Sequence, residues 1–77
     1  MNFTRKQGQY LAFIYYYTRI HERAPAEADM ARFFRVSPPA VHQMVVTLER
    51  AGLISRIPGQ ARSIRLVVPR EDIPQLE

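Results

Sequence analysis

Cysteine is absent from the 77 residues, which excludes a disulfide framework and any thiolate metal site and leaves stability to packing. That fits a cytoplasmic protein. No apolar run approaches the roughly 20 residues of a membrane span, and the start Met1-Asn2-Phe3-Thr4-Arg5-Lys6 lacks the apolar stretch of a signal peptide. Groups for catalysis are scarce as well. His21 and His42 stand far apart, no glycine-rich phosphate loop occurs, and no pair of carboxylates is set for acid–base work. An enzyme or a metal centre has no support, and no cofactor is implied. Internal repeats, linkers and low-complexity segments are missing too, so residues 1–77 read as a single domain.

Apolar residues make up 47% of the chain, enough for a small folded core. The charge is unevenly placed. Residues 1–70 hold all 11 Lys and Arg against only Glu22, Glu27, Asp29 and Glu49, a balance of +7, while Glu71, Asp72 and Glu77 make the ending acidic. A basic body of this size suits a polyanion, and arginine, which supplies all the cations except Lys6, suits bidentate contact with phosphate or guanine. The plainer reading is a solubilising surface.

Segment 37–52 organises the rest. Ser37 is placed to cap a helix, Pro38 and Pro39 fall in the first turn where a missing N–H is harmless, and Gly52 suits a left-handed stop. Val41, Met44, Val45 and Leu48 form one buried face of this helix, 38–51. Its other face carries Ala40, Gln43, Thr47 and Arg50 with His42 at the border, small or hydrogen-bonding side chains suited to a DNA groove.

Before it, Thr4 with Gln7 matches a capping box, predicting a helix over 5–23 with Tyr10, Phe13, Ile14, Tyr17, Ile20 and His21 on its core face. Leu11 and Tyr15 lie off that face and Tyr16 at its edge. They either pack beneath the C-terminal strands or tail, or form a homodimer interface. A short helix is predicted over 27–34, its acidic residues in the first turn where the helix dipole favours them. Two helices joined by a three- or four-residue turn make a helix-turn-helix.

After Gly52 the apolar period changes to two, which predicts strands over 53–57 and 62–68 around the turn Pro58-Gly59-Gln60-Ala61, a small wing. Arg56, Arg62 and Arg65 are expected to face outward, either to reach a phosphate or minor groove or merely to keep an edge strand soluble. The acidic tail 69–77 is expected to be loosely held. The fold class is therefore mainly α with a small β-hairpin, a three-helix winged helix-turn-helix.

Three stretches together resemble a known family: Phe3-Thr4-Arg5-Lys6-Gln7, then Ser37-Pro38-Pro39-Ala40-Val41-His42, then Ala51-Gly52-Leu53-Ile54 running through Pro58-Gly59-Gln60-Ala61-Arg62-Ser63-Ile64-Arg65-Leu66. They are similar to the DNA-binding domain of LexA-type repressors over about residues 3–68. The resemblance implies that Ser37, Pro39, Ala40, His42 and Gln43 face the major groove and that Arg62 sits in the wing. Pro39 departs from the polar residue that family members often carry there, and Arg35-Val36 makes a shorter turn. No self-cleaving domain follows within the sequence, so self-cleavage is not implied.

The expected function is sequence-specific binding of double-stranded DNA by a repressor-like regulator. Its contacts are expected from Ser37, Pro39, Ala40, His42, Gln43, Thr47, Arg56, Arg62 and Arg65. The alternative is a winged-helix protein-interaction module, against which the basic wing argues. A homodimer through Leu11, Tyr15 and Tyr16 is expected, because one small module buries little DNA surface. The sequence names neither operator nor effector.

Overall fold

The computed structural model describes residues 2–77. Helices α1 (Arg5–His21), α2 (Glu27–Phe34) and α3 (Pro38–Arg50) precede strands β1 (Ile54–Ser55) and β2 (Arg65–Leu66) and a single 3-10 turn at Arg70–Asp72. This is a helix-turn-helix with a two-stranded wing.

The capping box sets the start of α1: Thr4 Oγ1 accepts from the Gln7 N–H at 3.1 Å and Gln7 Oε1 from the Thr4 N–H at 2.9 Å. The helix stops at His21, because Glu22 turns left-handed at φ 56° and its N–H closes on the Thr18 carbonyl. Two residues of α1 expected in the core lie outside it. Ile20 is 74% exposed and His21 is exposed, resting against the Tyr17 ring at 4.2 Å. The buried part of α1 is instead its middle, Tyr10 to Ile14, wrapped on more than one side. Tyr10 stacks on Phe34 of α2 with ring centres 4.2 Å apart, Phe13 meets Phe33 at a tilt at 4.7 Å, and β2 also packs against α1. A helix with neighbours on several sides buries more than one stripe.

Helix α2 lacks a side-chain N-cap, and Asp29 supplies the carboxylate end of a capping box, Oδ2 accepting from the Ala26 N–H at 2.8 Å. Arg35, at φ 55°, ends it and Ser37 begins α3, with Oγ accepting from the Ala40 N–H at 3.3 Å. At the far end of α3, Gly52 at φ 75° lets its own N–H reach Glu49 O and the Leu53 N–H reach Leu48 O, both at 3.0 Å. That pair of bonds is a Schellman motif, and Leu48 and Leu53 meet in the core beneath it.

The strand ladder is much shorter than expected. Ile54 pairs with Leu66 and Ser55 with Arg65, antiparallel, and one further bond joins the Val67 N–H to Leu53 O at 3.0 Å. Gly59 at φ 77° and Arg62 at φ 55° take the backbone out of the extended region, so ladder pairing stops. A side chain replaces it. Ser63 Oγ accepts from the Ile57 N–H at 2.9 Å and offers its proton to Gln60 O and Ile57 O at 2.9 and 3.1 Å.

The tail is not loose. Gln9 donates from Nε2 to Gln75 O at 2.9 Å and accepts from the Glu77 N–H at 2.8 Å, Arg5 pairs with the Glu77 carboxylate, and Ile73 and Leu76 pack on the core. Gly8 permits this closeness: a Cβ there would stand 3.0 Å from Phe3 and 3.1 Å from Pro74. Apolar residues at 73 and 76 hold a segment whose acidic composition suggested a solvated end.

Candidate nucleic-acid interface

The first two turns of α3 present Ser37, Pro39, Ala40, His42 and Gln43 at the surface, because Val41, Val45 and Leu48 on the opposite side are fully buried. These five side chains form an exposed ridge. None of the principal cavities takes a residue from α3, so the ridge suits entry into a groove rather than enclosure of a small ligand. Thr47, one turn on, is half-buried and donates its hydroxyl to Gln43 O at 2.8 Å, which leaves only lone pairs for a partner. Among the described residues no group of three or more His, Asp or Glu is placed to hold a metal.

One carboxylate borders this ridge that the sequence did not single out for a site. Glu27, at the start of α2, holds both carboxylate oxygens 3.2 Å from His42 Nδ1. The pair engages one edge of the imidazole and leaves Nε2 for another partner. Fifteen residues separate the two, so no local pattern links them.

The wing arginines differ from one another. Arg65 is exposed and makes no ion pair among the described residues. Arg56, expected to face outward, is turned back to α3: its Nε donates to Glu49 Oε1 at 3.1 Å and its side chain is only 20% exposed. Arg62, expected to point at DNA, is folded inward. Its Nη1 lies 3.1 Å from each of Tyr17 Oη, Ala24 O and Asp29 Oδ2, acceptors on α1, on the loop after it and on α2. The Ala26 N–H and, next, the charge of Arg62 hold the Asp29 carboxyl below its usual 3.8, against the upward push of burial. The Tyr17 hydroxyl and Asp29 raise Arg62 in turn, so this guanidinium stays charged. A left-handed φ at Arg62 and acceptors 33 to 45 residues away are the reasons the inward turn escapes a sequence reading.

The expected dimer residues do not form one surface. Leu11 is 0% exposed and belongs to the core, so it is unavailable to a second copy. Tyr15 is half-buried between Arg19 and Arg70, whose guanidinium carbons lie 5.7 and 6.0 Å from its ring centre, and Tyr16 alone is open, at 38%. No helix of the described residues is long and apolar enough to cross a membrane.

Residues 1–63 match the family model described as LexA DNA binding domain. The chain is 39% identical over 70 residues to the LexA repressor of Thermosipho melanesiensis, an alignment covering 91% of this chain and 35% of that one. It is 36% identical over 70 residues to the LexA repressor of Thermosipho africanus, with the same coverage of 91% and 35%. To the LexA repressor of Cellvibrio japonicus it is 35% identical over 74 residues, 95% of this chain and 37% of that one. The chain thus spans little more than a third of the length of these relatives.

Proposed function

The chain belongs to the LexA DNA-binding domain family, and from that premise we propose that it binds double-stranded DNA at specific sequences and represses transcription. The observation that carries the reading is the exposed ridge at the capped start of α3, dressed with small and hydrogen-bonding side chains on a basic body. Repressor is also the name its relatives carry, which favours a non-catalytic role in the cytoplasm, where it meets DNA.

Each exposed residue then has a task. Ser37 accepts from the Ala40 N–H and keeps its hydroxyl proton for a phosphate oxygen, helped by the amides of the first turn. Gln43 offers the paired donor and acceptor that match the adenine edge, and His42 presents Nε2 to guanine or to phosphate. Pro39 and Ala40 are sized for thymine methyl groups, and the Thr47 hydroxyl accepts from a base amino group. Arg65 contacts the backbone from the wing. Arg56 and Arg62, bound to the protein itself, leave the contact set. The Glu27 carboxylate beside His42 argues against phosphate at that point and leaves the guanine edge as the partner of Nε2. Two copies on half-sites about one helical turn apart, roughly 34–36 Å, would multiply the contact area.

The test is anisotropy of a labelled random-sequence duplex pool across a salt series, followed by rounds of selection. Binding at low salt that falls linearly in log–log form, with enrichment of a defined site, is the expected result. Gln43→Ala should then lose about 1–3 kcal/mol of discrimination at one base pair of that site. Absence of binding even at low salt overturns the reading.

A further inference from the structure

The wing is joined to the helical body by few polar bonds. The three made by Ser63 Oγ run to residues 57 and 60, so they shape the turn and say nothing about where the wing stands. Two links cross to the helices. Arg56 ties the outgoing arm to Glu49 at the end of α3, and Arg62 ties the returning arm to Tyr17, Ala24 and Asp29. We propose that Arg62 is a positioning residue, a latch that fixes the wing against α1 and α2 and so sets where Arg65 meets the DNA backbone when α3 is seated. This rests on the DNA-binding reading given above.

The geometry of the latch is specific. Nη1 carries two N–H groups and faces three oxygens at 3.1 Å, so one hydrogen is shared between acceptors. Those oxygens belong to α1, to the loop after it and to α2, which a single nitrogen therefore ties together. Asp29 extends the link. The oxygen that receives Arg62 also receives the Ala26 N–H that begins α2, and its other oxygen receives Arg32 at 2.9 Å. Helix α2 packs on α3, so a wing held to the start of α2 is held in register with the reading helix. Were Nη1 instead to turn to a phosphate, it would abandon all three oxygens and leave Asp29 less compensated.

The experiment compares wild type with Arg62→Ala, Tyr17→Phe and Arg65→Ala, reading two quantities: duplex affinity across a salt series and hydrogen exchange at the amides of Ile57 and Gln60. Arg62→Ala should weaken binding about tenfold and Tyr17→Phe about threefold with the salt slope unchanged, and both should speed exchange in the wing. Arg65→Ala should lower the slope by about 0.9, the value of one phosphate, and leave exchange alone. A slope reduced by about 0.9 in Arg62→Ala with wing exchange unchanged makes Arg62 a direct contact and overturns the latch. Tyr17→Phe retains the charge, so normal exchange and normal affinity in it overturn the latch even if Arg62→Ala fails to fold. A wild type that binds no duplex at low salt sinks the DNA reading, whereas accelerated exchange in Tyr17→Phe would still show the wing anchored as described.

Discussion

Helix α3 turns Val41, Val45 and Leu48 into the core, each fully buried, whereas the wing tip between Ser55 and Ile64 has no buried residue and is held by a serine hydroxyl and two arginines. Apolar burial is non-directional and leaves the opposite side of the helix free to vary. Polar bonds demand particular atoms at particular distances. The reading helix can therefore change its exposed residues without losing its place, while the wing tip carries its own placing residues, Arg56, Arg62 and Ser63. Two of the wing's three arginines are consumed in holding it.

Leu48→Ala attacks the apolar side of that contrast and should cost about 2–5 kcal/mol in urea unfolding, the largest effect of the set. A loss under about 1 kcal/mol would mean that α3 is not held by its buried face. Asp29→Asn attacks the polar side, at the carboxylate shared by Arg62, Arg32 and the Ala26 N–H, and should cost about 1.5–3 kcal/mol near neutral pH. Its pH dependence has a definite sign. The folded protein holds Asp29 below the usual 3.8, so the unfolded chain takes up the proton first as pH falls. Wild-type stability from this group is complete above that value and disappears as pH drops through the lower folded one. Urea midpoints from pH 6 to pH 2.5 should therefore converge for wild type and Asp29→Asn; parallel curves would contradict the shift.

Gly52→Ala tests the junction between the two regions. A Cβ there meets nothing within 4 Å, so the expected loss of about 1 kcal/mol comes from the left-handed backbone alone. An unchanged thermal midpoint would place the strain elsewhere. Ser63→Ala should be mildest, about 0.5–1.5 kcal/mol, and confined to the wing: limited proteolysis between residues 57 and 63 should quicken while amides in α3 exchange as before. Matching changes in α3 would erase the contrast.

The parts legible in the sequence were those written within a few residues of one another. Thr4 with Gln7, Ser37 before two prolines and Gly52 after Arg50 are signals each contained within a single helical turn, and each cap formed as those signals predict. The buried face of α3 is legible for the same reason. What escaped is long-range. Leu11 looks surplus on a helical wheel only if α1 has one neighbour, and it has several. The partners of Arg62 and of His42 lie 15 to 45 residues away, and the short acidic tail hides two apolar residues that dock it. Wing strands were overestimated because alternation of Ile64, Leu66 and Val68 reports which side faces the core, not whether a second strand is paired alongside.

The docking of Gln75 and Glu77 onto Arg5 and Gln9 brings the last described residues beside the first helical turn. Within the described residues the backbone thereby comes close to a closed ring. A circular permutant that joins Glu77 to Asn2 through a short glycine–serine bridge and opens between Gly59 and Gln60 keeps every helix intact. It would carry its new ends at the tip of the wing, where a tethered probe reports directly on the distance between the wing and bound DNA.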